Sequence, residues 1–448
     1  MSTPERPIPE RLVAKLDQLT AVEQSDKRYP SLAAAVLRDG ELIWERAVGA
    51  ADVEAGVDAT PDTQYRVGSI TKTFTAAAIM QLRDAGKLDL EDTLDRHVGG
   101  AAYNPSIRRL LSHASGLQRE THDDSWLTLR FAPPEELLET LDRAEMVLPA
   151  GARFHYSNLA FALLGIVVER VGGVPYMDYV RERLLEPLGL TRISFEAAQP
   201  AAKGYVPQPY ADGVWEAGDV DTGAWASAGQ LWGTVGDLCR WGAFLADPDE
   251  AILAKKSAEE MRTVQVISEH DRWLSGYGLG LSLRRDGERI VAGHTGSMPG
   301  FIAWLFFSAE ENVVAAALTN ASEAALPPLG LSLIGTTVEE WPVAPKAWRA
   351  GDPPPADVVP LLGVWFMEGG EMIFRWREGK LEMQNPDAAD WEPPAVFEKE
   401  IDDRWRTVSG PERGEALRVE RAADGSIERL VWAGYPVTRE PGPWRTPA

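Results

Sequence analysis

Trp341 to Pro355, with three successive prolines at 353–355, limits the possible folds of this chain more than any other stretch. Proline lacks a backbone N–H and holds φ fixed, so such a run neither continues a helix nor joins the interior of a sheet. It reads as a linker, and the pattern of the chain changes across it. Before it, helical periodicities alternate with strand-like runs. After it come short alternating segments with no helix of note, among them Met372 to Trp376, Lys380 to Met383, Arg404 to Val408, Ala416 to Arg421 and Ile427 to Trp432. Seven or eight such strands predict a small all-β antiparallel barrel. Half of the sixteen tryptophans lie beyond position 340 and are expected to fill that barrel or line one end of it. The domain reading is therefore 1–340, a Pro-rich linker at 341–357, and a barrel at 358–448. A length of 448 residues, too great for one ordinary core, agrees with two domains.

Within 1–340, residues 8–24 have helical spacing (Leu12, Leu16, Leu19, Val22), and Ser31 to Val48 alternates around Arg38-Asp39-Gly40-Glu41, a hairpin signal. Residues 88–190 read as mostly helical. Residues 200–234 are rich in Gly, Pro, Trp and Tyr without periodicity; a loop of that length is usually functional, and Trp215, Trp225 and Trp232 favour a packed one. Val235 to Leu245, carrying Cys239, reads as a helix. Strands follow at 278–284, 289–292, 302–307 and 313–318, and a last helix at about 326–340.

Three short motifs carry chemistry. In Tyr65 to Ala76, Ser69 stands at a predicted helix start with Lys72 three residues on, so both side chains share one face a turn apart. A serine hydroxyl needs a base, and a lysine serves if burial lowers its pKa. The helix start adds N–H groups for an oxyanion. Serine is also a common N-cap, so this pair alone decides little. Further along stand Tyr156-Ser157-Asn158, the only Tyr-x-Asn in the chain, and His294-Thr295-Gly296. Taken singly, Tyr156 could be a core tyrosine and Asn158 a helix cap.

With these motifs in this order, and with Leu110 to Leu117, Pro149 to Asn158 and Glu186 to Leu190 around them, residues 10–340 resemble the penicillin-recognising serine enzymes. That group includes penicillin-binding proteins, class C β-lactamases, D-aminopeptidases, and related esterases and acyl transferases. The resemblance implies an α/β (α+β) β-lactamase/transpeptidase-like domain, an antiparallel sheet plus a helical cluster. It implies that Ser69 is the acyl-forming nucleophile and that Lys72 and Tyr156 share general-base and general-acid work. Asn158 would hydrogen-bond Lys72 and a substrate amide. His294 would stand at the catalytic third-motif position, with Thr295, Gly296 and Trp225 at the substrate. The backbone N–H groups of Ser69 and Ser297 would form the oxyanion hole. His294 departs from the commoner lysine there; a histidine only partly charged near neutral pH weakens the case for an enzyme that clamps a free carboxylate. His113 reads as a structural hydrogen-bonding residue.

Gly363-Val364-Trp365 resembles the Gly-x-Trp opening of lipocalin-like barrels. A barrel appended to such a domain resembles the stand-alone penicillin-binding-protein-type thioesterases of non-ribosomal peptide synthesis, which close a peptidyl thioester on its own amine and often prefer a D-residue at the acyl end. In that subgroup a late arginine helps at the site, which makes Arg445 a candidate beside the plainer reading of a solvated tail. The expected activity is acyl transfer from a peptide-like thioester through Ser69, the donor delivered by a peptidyl carrier domain. Hydrolysis by a D-aminopeptidase, carboxypeptidase, esterase or β-lactamase-like relative, and an acylated sensor without turnover, remain open.

There is no Gly-x-Ser-x-Gly and no His-Glu-x-x-His, and six scattered histidines with one cysteine predict no metal site and no cofactor. A net charge of -23 argues against nucleic acid and anionic membranes as partners. The start of the sequence lacks the apolar stretch of a signal peptide, and with a single cysteine a cytoplasmic enzyme is the simplest expectation.

Overall fold

The computed structural model describes residues 7–99, 103–343, 347–389 and 391–442. The chain divides into two compact units, Met1–Val343 and Ala344–Ala448. In the first, nine strands form one sheet in the order Val57–Asp58, Glu41–Asp52, Ser31–Arg38, Val313–Thr319, Phe301–Ser308, Arg289–Met298, Ser282–Asp286, Ser275–Tyr277 and Val266–Glu269. Every neighbouring pair is antiparallel, with Ala34 opposite Ala317 at the centre.

Ser31–Arg38 is buried at every position. Ala33 and Ala35 face one core, and Ala34 and Val36 the other. A strand covered on both faces loses polar alternation, and its alanines leave room for helices on either side. On one face Glu10–Lys27 packs against Leu326–Glu340, with Leu12, Leu16, Leu329 and Leu333 meeting Trp44 and Trp304. The other face carries the helical cluster.

Thr71–Asp84 lies at the middle of that cluster. Its spacing reads as amphipathic, yet Thr71 to Met80 and Leu82 are all buried. The threonines that break the apolar pattern are satisfied internally. Thr73 Oγ1 accepts from the Trp241 indole at 2.8 Å, and Thr75 Oγ1 meets the Tyr176 hydroxyl and the Ser227 carbonyl, each at 2.7 Å. Asn158–Gly172 packs beside it, capped by Ser157, whose hydroxyl accepts from the Ala160 N–H at 3.0 Å. The 200–234 stretch holds a small hairpin (Tyr205–Pro207 with Val214–Glu216), a turn at Gly223–Trp225 and a helix at Ala226–Gly229. Trp225 is buried in it, whereas Trp215 is exposed. Among the described residues no single helix is long and apolar enough to cross a membrane.

The second unit is an eight-stranded antiparallel meander whose spatial order follows the sequence. A bridge between Phe366 and Thr438 brings the last strand region back to the first, giving a nearly closed, lipocalin-like barrel. Gly363 opens the first strand, Gly363–Met367. The Trp365 indole donates to the Leu361 carbonyl at 2.7 Å, and the Arg439 guanidinium lies 3.8 Å from its ring centre. Among the described residues, the expectation that tryptophans fill the barrel is met by Trp365, Trp405 and Trp432, with the partly buried Trp376 packed against them. Trp348 and Trp391 are exposed, because they sit in connecting segments where no inward strand position is available.

Candidate active site

Ser69 sits in a 3-10 turn, Gly68–Ile70, that runs directly into Thr71–Asp84. One turn later the fully buried Lys72 brings its Nζ to 3.0 Å from Ser69 Oγ and donates to the Ala228 carbonyl at 2.8 Å. Burial lowers the Lys72 pKa to about 7; the positive charge of Arg119 adds to this, and the Glu120 carboxylate opposes it. A neutral amine has two donors and a lone pair. It can therefore keep its bond to Ala228 while accepting the Ser69 proton.

The Tyr156 hydroxyl lies within hydrogen-bonding reach of Ser69. Its ring centre is 5.1 Å from Lys72 Nζ and 4.9 Å from the Arg119 guanidinium carbon. Burial pushes the phenol above its ordinary value despite the Ser69 hydrogen bond, so Tyr156 is a neutral proton donor at physiological pH. Asn158 differs from expectation. Lys72 is bonded to Ser69 and Ala228, and the Asn158 amide nitrogen donates to Glu120. The Asn158 carbonyl oxygen is buried without a protein partner, beside Ser69 in the same crevice. Such an orphan acceptor suits the N–H of an acyl-side amide.

His294 requires a second correction. It is buried, its Nδ1–H donates to the Thr295 carbonyl, and its Nε2 accepts from the Tyr277 hydroxyl at 2.9 Å. Burial and the nearby Lys72 lower its pKa to about 3. It is a neutral, fully engaged ring and offers no charge to a substrate. His113 does structural work. At φ 54° its Nδ1 accepts from the Ser157 N–H at 3.1 Å, tying its own turn to the Tyr156–Asn158 segment. Its ring packs 4.2 Å from that of Tyr156 and 4.7 Å from that of Tyr277.

The nucleophile turn lies against the strand Arg289–Met298 with no room for side chains between them. A Cβ on Gly68, whose φ is +52°, would stand 2.7 Å from the Ser297 nitrogen. A Cβ on Gly296 would stand 1.9 Å from the Val67 carbonyl oxygen and 3.2 Å from the Ser69 nitrogen. The two glycines thus bring the backbones of Ser69 and Ser297 together, the pair expected to hold an oxyanion. The crevice over Ser69 is completed by Trp126, Phe131, Asn158, Trp225 and Met298. Thr295, half-buried, touches it only through the strand. Arg445 lies outside the described residues. A larger hollow of about 680 Å³ between Met177 and Glu196 contains none of the motif residues.

Glu120, Arg119 and Tyr277 are absent from the motif reading. Glu120 accepts from the Asn158 amide through one oxygen and from the Trp225 indole at 3.1 Å through the other. Arg119 accepts the N–H groups of Asn158 and Leu159 with its carbonyl, at 2.9 and 3.2 Å. Both stand within three residues of the end of the Ser-His-Ala-Ser-Gly-Leu segment, and that proximity was the available signal. Tyr277 gave none. Among the described residues no cluster of His, Cys, Asp and Glu could hold a metal ion.

A family model described as Beta-lactamase matches residues 10–339, and a domain of unknown function (DUF7586) matches 354–439. Beta-lactamase-like protein 2 of Dictyostelium discoideum is 28% identical over 283 residues, covering 59% of this chain and 51% of that protein. The chain spans about half to two thirds of the length of such curated relatives. Among solved structures, the octameric penicillin-binding protein homologue from Pyrococcus abyssi superposes with a TM-score of 0.66 at 22% identity, covering 95% of this chain and 100% of that one. A D-stereospecific amidohydrolase from Streptomyces sp. superposes with a TM-score of 0.63 at 27% identity, covering 71% of this chain and 97% of that one. With three quarters of its length matched by one model, and Lys72 and Tyr156 both within reach of Ser69, this chain belongs to the beta-lactamase family.

Proposed function

We propose that the chain is a serine acyl-enzyme that takes a peptidyl acyl group onto Ser69 and transfers it to an amine. The observation that carries the reading is the buried Lys72 amine 3.0 Å from Ser69 Oγ with its pKa lowered to about 7. Neutral Lys72 removes the Ser69 proton as Oγ attacks the acyl carbonyl. The backbone N–H groups of Ser69 and Ser297 stabilise the oxyanion. Tyr156, a neutral phenol beside Ser69, passes a proton to the departing group and is recharged through Lys72. In the second half-reaction the entering nucleophile loses its proton along the same route.

The donor we infer is a peptide-like thioester with a D-residue at its acyl end, delivered by a peptidyl carrier domain in the cytoplasm. The orphan Asn158 carbonyl supports an acyl group bearing an amide N–H. The similarity to a D-stereospecific amidohydrolase supports D-configuration, and it also favours a second reading, in which water is the acceptor. Product mass analysis tests both. A peptidyl thioester with a D-residue at the acyl end and a free amine is incubated with wild type and with Ser69→Ala. A Ser69-dependent product one water lighter than the linear acid is expected. Linear acid alone would make the protein a hydrolase, and a single stoichiometric acylation without turnover would make it a sensor.

A further inference from the structure

The two walls flanking the catalytic residues differ in charge. On the acyl side, with Asn158 and Trp225, stands the Glu120 carboxylate, both of its oxygens occupied by those two side chains. On the side of Tyr156, the residue that serves the leaving group, stands Arg119. Its guanidinium carbon lies 4.9 Å from the Tyr156 ring centre, the side chain is exposed, and no hydrogen bond or ion pair engages the guanidinium among the described residues. Its backbone is fixed, because the Arg119 carbonyl accepts from Asn158 and Leu159 at the start of the Asn158–Gly172 helix. His294 supplies no cation, since its ring is buried with both nitrogens engaged.

We propose that Arg119 is a specificity-determining residue that binds a carboxylate carried by the leaving group, or by the amine that later takes its place. A guanidinium stacked on a ring face keeps its edge N–H groups available and matches a carboxylate with two parallel donors. The cation stands on the turn that follows Ser115-Gly116 and not at His294. With a carrier-bound thioester as donor, the carboxylate belongs to the accepting amine; with water as acceptor, it belongs to a small leaving group joined to the peptide-like acyl group. The inference rests on the serine acyl-enzyme reading.

The test uses the whole chain and two matched esters of N-acetyl-D-phenylalanine, one with glycolic acid as leaving group and one with glycolamide, which lacks the charge. Ser69-dependent turnover of the glycolamide ester checks the acyl-enzyme reading by itself; its absence would defeat that reading and not reach Arg119. With turnover present, the ratio of kcat/KM for the acid over the amide is compared among wild type, Arg119→Gln and Arg119→Lys. Comparing ratios cancels the intrinsic reactivity of the two esters. A solvent-exposed pair with two parallel N–H donors predicts that the wild-type ratio exceeds that of Arg119→Gln by about five- to tenfold. Arg119→Lys keeps part of the preference, and added salt reduces it in wild type. Equal ratios in wild type and Arg119→Gln would overturn the proposal. So would an unchanged preference in Arg119→Gln that salt still weakens, because another cation would then hold the carboxylate.

Discussion

Replacing Lys72 by methionine should abolish acylation and, at mildly acidic pH, stabilise the protein. Lys72 is fully buried, and its pKa falls from an ordinary 10.5 to about 7, chiefly through loss of solvent. The unfolded chain therefore binds more protons than the native one between those two values, and wild-type stability rises with pH across that window. At pH 6 the amine is charged in both states, and the difference in proton affinity amounts to about 5 kcal/mol of destabilisation. At pH 9.5 about 1–2 kcal/mol of it remains. Methionine removes this cost and leaves the Ala228 carbonyl without its donor, which costs about 1–3 kcal/mol. The variant should then exceed wild type by about 2–4 kcal/mol at pH 6 and be equal or slightly less stable at pH 9.5. Urea unfolding of both proteins at the two pH values measures it. A stability difference that does not change with pH would refute the lowered Lys72 pKa, and with it the account of how Ser69 is activated.

Other consequences follow from the same site. The kcat/KM of any ester substrate should rise with pH to a plateau with a midpoint of about 7 as Lys72 loses its proton. Glu120→Gln should lower that midpoint, because the carboxylate holds the proton on Lys72; an unmoved acid limb would count against it. The His294 ring should stay neutral, with its proton on Nδ1, until the pH approaches 3, as read by heteronuclear NMR of its nitrogens. A titration near 6.5 would contradict the structure. As the unfolded chain protonates this histidine and the native one does not, stability should fall as the pH drops from 6.5 toward 3. Gly296→Ala would place a Cβ 1.9 Å from the Val67 carbonyl, a backbone atom that cannot swing aside. A loss of about 1–3 kcal/mol and of most ester turnover is expected; an unaltered unfolding curve would show that the two backbones are further apart.

Local patterns account for what could be read in advance. The Ser69–Lys72 pair was legible because one helical turn sets its geometry, and the barrel because a meander is built from neighbours in sequence. The central alanine strand and the enclosed Thr71–Asp84 helix were harder, since burial on both sides erases the alternation that marks a strand and the polar face that marks a surface helix. Arg445 lies outside the described residues, so its place at the site is still an expectation from sequence. The state of His294 was beyond reach. It depends on Tyr277, seventeen positions earlier and on a strand two removed in the sheet, and on the burial the sheet imposes.

That neutral histidine changes what the third motif contributes. A permanent cation in its place would face Lys72 and a substrate anion together, coupling substrate charge to the proton affinity of the base. Here the ring is held by Tyr277 and Thr295, and its lone pair and proton are both consumed within the protein. In the proposed mechanism the motif contributes mainly backbone: Gly296 admits the Ser69 turn beside the strand, and the Ser297 N–H would meet the reacting carbonyl. The charges that remain within electrostatic reach of Lys72 and Tyr156, Arg119 and Glu120, are adjacent in sequence and opposite in sign. A change at either one should alter the proton affinity of the catalytic pair in opposite directions, while the Ser69–Lys72 geometry, set by one turn of helix, stays as it is.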